Sequence, residues 1–278
     1  MRNVALLSAF LIASIAAADT GTPKDGYFTT SDSVKIHYMT LGDQGSWVVL
    51  IHGYTDSAQR MWFTTGIAQA LAANHRIVAL DNRNHGQSDK PQPRGPGKAE
   101  DVVELMDHLG IEKAHIHGYS MGGGITGQLM AMIPDRFITA GFGGSGIYEA
   151  DETLREQAAA LDPEMPEPTG LAAAAYQRLR ESIAARAADD GETADDSARR
   201  FRRALDIDLG MIEFPVIAIN GTFDRPFSKT QRMWRELNHF TNVLLPGHNH
   251  MTAIAVGGPM PREYTDAMTR FINANDES

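Results

Sequence analysis

The hydrophobic positions of this chain fall into short runs separated by longer stretches with a helical period. Ser46–Ile51, Arg76–Leu80, His115–His117, Phe137–Phe142, Pro215–Asn220 and Thr241–Leu245 are short, mostly apolar and rich in β-branched residues. Such near-continuous runs suit strands buried on both faces, as in a parallel sheet. Ahead of them, Tyr27–Thr30 and Val34–Tyr38, split by Ser31-Asp32-Ser33, predict an amino-terminal hairpin. Helices are predicted at Ala58–Ala73 (with Asp56 or Ser57 as cap), Lys98–Leu109, Gly124–Met132, Lys229–His239 and Arg262–Asn275. Strand and helix therefore alternate. The predicted fold class is α/β, a mostly parallel, doubly wound sheet covered on both faces.

That rhythm changes between Asp151 and Asp208. The stretch is rich in alanine and charge, with helical candidates at Asp151–Leu161, Leu171–Ala188 and Ala194–Leu205. Pro163, Pro166 and Pro168 separate the first two, and Thr193 with Asp196 reads as a capping box for the third. The expectation is a small helical lid, residues 151–208, inserted between two parts of one core, 19–150 and 209–278. Residues 1–18 carry an early Arg2, an apolar stretch from Val4 to Ala16 and Ala16-Ala17-Ala18 before Asp19. This is the pattern of a secretory signal peptide, too short for a comfortable membrane span, and it predicts a secreted or periplasmic protein.

Composition narrows the partners. A formal net charge of −10 and the lack of a basic run argue against nucleic acid. The chain has no cysteine, so neither a disulfide framework nor a thiol nucleophile is available. No metal-type spacing stands out and no cofactor is expected; nothing in the sequence specifies an oligomeric state.

The candidate chemistry centres on Gly118-Tyr119-Ser120-Met121-Gly122. Gly-x-Ser-x-Gly between a strand and a helix is the spacing of a nucleophile elbow, a strained turn that lifts the serine hydroxyl out of the sheet. The N–H of Met121, at the positive end of the following helix, points to where an oxyanion would form. A serine needs a base to take its proton, and the base needs an acid to orient it. Asp224 follows one predicted strand, in Gly221-Thr222-Phe223-Asp224. His248 and His250 follow the next, in Pro246-Gly247-His248-Asn249-His250. Ser120, Asp224 and His250 run in the chain order expected after such an elbow. His248 is the competing base, and Asp151 or Glu149 the competing acid.

Taken together, the chain from Tyr27 to Asn275 resembles the α/β-hydrolase family. The residues that carry the resemblance are His52-Gly53-Tyr54, Asp81-x-Arg83-x-His85-Gly86-x-Ser88-Asp89, Gly118-x-Ser120-x-Gly122, Gly221-x-x-Asp224 and Pro246-Gly247-x-x-His250. Asn84 stands where family members usually have glycine. The resemblance implies a catalytic set of Ser120, His250 and Asp224 under a variable lid, with an oxyanion hole from the Met121 and Tyr54 N–H groups. It implies hydrolysis of a small-molecule ester or related acyl substrate, without a cofactor; the alternatives are lactone or C–C bond hydrolysis or perhydrolysis by the same three residues, or a ligand-binding protein that retains the fold. A serine at position 120 argues against the haloalkane dehalogenase and epoxide hydrolase branches, which use aspartate there. His52 is expected to be structural, and Asp81, Arg83, His85 and Asp89 to tie down their own loop. His115 and His117 are expected to be satisfied by backbone. Met165, Leu171, Tyr176 and Met211 are candidates to line an acyl pocket, or simply lid and core contacts.

Overall fold

The computed structural model describes residues 21–91, 98–167, 169–189, 205–253 and 261–276. The signal-peptide stretch, the Thr193/Asp196 box and the third lid helix as far as residue 204 lie outside the described residues. Eight strands form one sheet: β1 Lys24–Thr29, β2 Lys35–Leu41, β3 Trp47–Ile51, β4 Arg76–Leu80, β5 Ala114–Tyr119, β6 Phe137–Gly143, β7 Val216–Gly221 and β8 Phe240–Leu245. Their order is β1-β2-β4-β3-β5-β6-β7-β8. β2 pairs antiparallel with both β1 and β4, and every pairing from β4 to β8 is parallel. The described helices are α1 Ile67–Ala72, α2 Ala99–His108, α3 Met121–Met132, α4 Glu152–Ala160, α5 Gly170–Asp189, α6 Pro226–Glu236 and α7 Arg262–Ala274.

Successive side chains of a strand point to opposite faces, so each apolar run is shared between two cores. Val49 and Ile51 of β3 and Val78 and Leu80 of β4 pack with Val102, Leu105, Ile125, Leu129 and Met233 of α2, α3 and α6. Val48, Leu50, Ile77 and Ala79 pack on the other face with Trp62, Ile67, Leu71, Met268 and Ile272. The helix predicted over Ala58–Ala73 is not continuous. Gln59–Phe63 forms a π-helical turn, and the chain then breaks at Gly66 (φ +86°) before α1. A left-handed residue cannot sit inside a right-handed helix, and glycine reaches that conformation without penalty. Ala58 N–H, moreover, donates to Asp81 Oδ1 at 2.8 Å, a partner on a different element. α6 also starts three residues before its predicted position, at Pro226, whose fixed φ suits the first turn.

The loop after β4 is held by ion pairs and hydrogen bonds. Asp81 takes the N–H of Ala58 and Gln87 and contacts His37 Nδ1 at 2.9 Å. Arg83 forks onto Asp101 (Nε–Oδ2 2.7 Å, Nη2–Oδ1 2.5 Å) and reaches Asp32 at 2.8 Å. Arg83 and Asp101 are both buried, Asp101 completely. Asp101→Ala leaves a buried guanidinium short of its partner and is expected to cost about 3–5 kcal/mol in urea unfolding. A double variant with Arg83→Met should recover part of that loss, because the stranded charge is gone. An undiminished loss in the double variant would show that Asp101 acts through something other than Arg83.

Candidate active site

Three strand ends on the carboxyl side of the sheet meet at one place, where a parallel sheet presents its ligand-binding groups. Ser120 follows β5 directly and caps α3, with φ 55° and ψ −111°. Its N–H continues the sheet onto Gly143 O at 2.8 Å, and its carbonyl accepts from Gly124 N–H at 3.1 Å. The flanking glycines are steric requirements. A Cβ on Gly118 would run into the backbone of Gly122, and one on Gly122 into the carbonyl of Ile51. The elbow is this tight because strand β5 turns into helix α3 without an intervening loop residue other than Ser120.

Asp224 ends a turn closed by its own N–H on Gly221 O (3.0 Å), just beyond β7. His250 lies in the loop beyond β8. An Asn249 side chain organises that loop, its Oδ1 accepting from Met251 N–H at 2.9 Å and Thr252 N–H at 3.1 Å. Phe223 N–H donates to His248 O at 2.9 Å and Gly247 N–H to Thr222 Oγ1 at 2.9 Å, so the two loops are joined. Tyr119 Oη donates to the His250 carbonyl at 2.5 Å. Burial, with Asp224 and Tyr264 adding to it, raises the Tyr119 phenol well above its ordinary range, which keeps it a donor.

The result is a hydrogen-bonded series. Ser120 Oγ is 2.9 Å from His250 Nε2, and His250 Nδ1 is 3.0 and 2.9 Å from the two Asp224 oxygens. An ionised carboxylate only accepts, so Nδ1 carries the ring proton and Nε2 presents a lone pair to the Ser120 hydroxyl. Asp224 is buried, while His250 is the half-exposed member. The structure brings Ser120, His250 and Asp224 together and leaves the alternatives elsewhere. His248 turns its Nδ1 to Thr252 O at 2.7 Å. Asp151 caps α4 through Leu154 N–H, and Glu149 is buried in a forked pair with Arg235.

The Met121 N–H opens α3 and so lies outside the helix's own hydrogen-bond series. The His52–Tyr54 segment lies against the elbow: a Cβ on Gly53 would sit 3.5 Å from Ser120 Cβ. That segment is held by its neighbours. His52 Nδ1 is 2.7 Å from Gly53 O, its Nε2 accepts from Asn82 N–H at 3.0 Å, and His85 Nε2 is 2.7 Å from Tyr54 O. Met211 is three-quarters exposed, and the Leu171 side chain lies outside what the structure describes.

One residue at the site was not anticipated. Lys229, on α6, places its Nζ directly on Asp224 Oδ1, and both side chains are 7% exposed. Its signal was in the sequence. Pro226, Lys229, Thr230 and Met233 share one face of α6 at helical spacing, and that face is buried. Burial alone would raise the Asp224 carboxyl, but the charges and hydrogen bonds of His250 and Lys229 outweigh it and hold Asp224 below the usual carboxylate range. For Lys229 burial is the larger influence, pulling the ammonium below the usual lysine range against the upward pull of Asp224.

Among the described residues, one set of side chains groups three potential metal ligands: His75, His115 and Asp276. It lies at the amino ends of the strands, roughly 16 Å along β5 from Ser120 by strand rise. Its nitrogens are already engaged. His75 Nε2 meets Asn273 Oδ1 at 2.7 Å, Ser46 Oγ sits between His75 Nδ1 (3.0 Å) and His115 Nε2 (3.1 Å), and His115 Nδ1 meets Thr139 Oγ1 at 2.9 Å. One proton order from Thr139 through to Asn273 satisfies every member, and the Ser46 hydroxyl fills the space between the rings. The set fastens the end of α7 to the sheet. His115 is thus satisfied by side-chain hydroxyls and not, as expected, by backbone, and His117 Nε2 has no hydrogen-bond partner among the described residues.

Comparison with known proteins agrees with this architecture. Residues 46–140 match the family described as alpha/beta hydrolase fold. The chain is 39% identical over 97 residues to a dihydrolipoyllysine-residue acetyltransferase component of an acetoin cleaving system from Pseudomonas putida, covering 34% of this chain and 25% of that one. It is 37% identical over 90 residues to esterase YbfF from Escherichia coli, covering 32% and 34% of the two. The chain thus matches about a quarter to a third of the length of these curated relatives. Among solved structures, 2-hydroxy-6-oxo-6-phenylhexa-2,4-dienoate hydrolase from Rhodococcus sp. strain RHA1 superposes with a TM-score of 0.60 and 26% identity, over 91% of this chain and 99% of that one.

Proposed function

The chain belongs to the α/β-hydrolase family, and on that premise we propose that it is a serine hydrolase cleaving a carboxylic ester or related acyl bond of a small molecule. The observation that carries this reading is the strained Ser120 with its hydroxyl 2.9 Å from His250 Nε2, the other ring nitrogen resting on Asp224. Ser120 attacks the acyl carbon as His250 takes its proton, and His250 returns that proton to the leaving alcohol. Asp224 keeps the ring in the tautomer this requires and stabilises the imidazolium that forms. The Met121 and Tyr54 N–H groups receive the oxyanion of the tetrahedral intermediate. Water activated by His250 then releases the acid. The amino-terminal stretch, in the same reading, exports the protein to the periplasm or medium.

The test is labelling with a fluorophosphonate probe together with turnover of a p-nitrophenyl ester series. His250→Ala should slow both by at least about 10²-fold, the usual scale of general acid–base catalysis. His248→Ala should leave both within a few-fold of wild type, since that ring faces Thr252. The reverse pattern would move the base to His248. A second reading is hydrolysis of a C–C bond in a vinylogous diketone, supported by the 26% identity, end to end, with the Rhodococcus enzyme. It uses the same three side chains. Turnover of a dienoate substrate well above that of any simple ester would put it first.

A further inference from the structure

Neither the elbow nor the resemblance to hydrolases accounts for Lys229. A lysine seldom lies fully buried, and when it does it is paired. This one is turned inward from the first turns of α6 and meets the carboxylate that orients His250. A carboxylate resting only on an imidazole favours the protonated ring with its whole charge. A carboxylate shared with an ammonium favours it less, because the cation repels the second proton on the ring. Asp224 serves both partners at once: both its oxygens lie within 3.0 Å of His250 Nδ1, and Oδ1 also carries Lys229.

We propose that Lys229 is a positioning and charge-setting residue of the hydrolase site: its buried ammonium fixes the Asp224 carboxylate and offsets the charge that this carboxylate presents to the His250 ring. The inference rests on the serine-hydrolase reading above. Among the described residues, the groups facing this pair from neighbouring elements are few. Around His250 stand Ser120 from the head of α3, Asp224 from the turn after β7, and the ring of Tyr119 from the end of β5, itself against Tyr264 of α7. Around Lys229 stand Asp224, Asp162 and Arg225. Asp162 follows α4 and accepts from Phe227 N–H at 2.8 Å and from the Ser228 hydroxyl at 2.5 Å, so it is committed to the start of α6. Lys229 is the cation bonded to Asp224.

The sign of the expected effect follows. Removing the cation leaves Asp224 with its full charge toward the ring, the imidazolium is stabilised, and the neutral base is lost at a higher pH. Lys229→Gln is the sharpest variant, because its amide can still donate to Oδ1 while carrying no charge. Lys229→Arg keeps the charge. The rate constant for fluorophosphonate labelling and kcat/KM for a p-nitrophenyl ester would be measured from pH 5 to 9 on folded, full-length protein. The acid limb of Lys229→Gln should move up by about one pH unit, and that of Lys229→Arg should stay with wild type. Lys229→Met should shift in the same direction as Lys229→Gln. Neutral variants that trace the wild-type limb, in a protein labelled through Ser120, would overturn the proposal and leave the hydrolase reading standing. Wild-type protein that is never labelled removes both. Should Lys229→Gln and Lys229→Met fail to fold while Lys229→Arg folds, Lys229 is a structural charge partner and the proposal is overturned.

Discussion

Ser120→Ala is expected to abolish fluorophosphonate labelling and to lower ester turnover by about 10³-fold or more, with the fold intact. The serine is the atom that would bond to the acyl carbon, and nothing else in the series of Ser120, His250 and Asp224 can replace it. Residual turnover should come from the oxyanion-binding N–H groups and from substrate binding, which a triad knockout leaves in place. The structure also says how the variant should behave as a protein. Position 120 holds a non-glycine residue at φ 55°, in a conformation that costs on the order of 1–3 kcal/mol. Alanine keeps that strain, so Ser120→Ala should melt close to wild type. Ser120→Gly relieves it and should be the more stable inactive variant. Labelling that survives Ser120→Ala at another serine would remove the elbow from the chemistry.

Acidification should unfold the protein in the range where histidines titrate, before the carboxylates do. Burial lowers His115 to about 4 and His117 to about 3, from an ordinary value of 6.5. A group whose folded pKa is depressed favours folding above its unfolded pKa. For these two, stability present above about pH 6.5 is lost as pH falls toward 4 and then 3, because the unfolded chain binds protons that the native strand refuses. Together the two rings are worth on the order of 5–8 kcal/mol, a large share of the ~5–15 kcal/mol that holds a typical domain together. His37 works against this trend. Burial would lower it, but Asp81 and Asp25 raise it, so its protonation favours the fold as pH drops through its folded value. It is one ring against two. The denaturant midpoint should therefore fall steadily from pH 7 to pH 4. In His117→Leu the slope of unfolding free energy against pH should lose about one proton, ~1.4 kcal/mol per pH unit. An unchanged slope would mean that His117 is already protonated or already neutral throughout the range. Asp81, held at about 2 by His37 and two backbone N–H groups despite its burial, adds a second loss only below the ordinary carboxylate range.

Much of this was legible in the chain itself. Apolar runs and helical periods are local properties, and they set the strand–helix alternation, the hairpin at the front and the carboxyl-end position of Ser120, Asp224 and His250. Gly118 and Gly122 announced the elbow because the steric conflict they avoid involves residues a few positions away or on the adjacent strand. What the local pattern could not carry was pairing across distance. Ala58 N–H found Asp81 on another element, in a run that reads as continuous helix on its own. His115 found hydroxyls on β6 and before β3 in place of backbone, since only the sheet order puts those strands on either side of it. Lys229 looked like an ordinary helix lysine until packing turned its face inward onto Asp224. Periodicity tells a residue which way to point relative to its own element, and the sequence alone determined that much here. Which charge or hydroxyl waits at the other end depends on strand order and helix docking, and that was decided only in the folded structure.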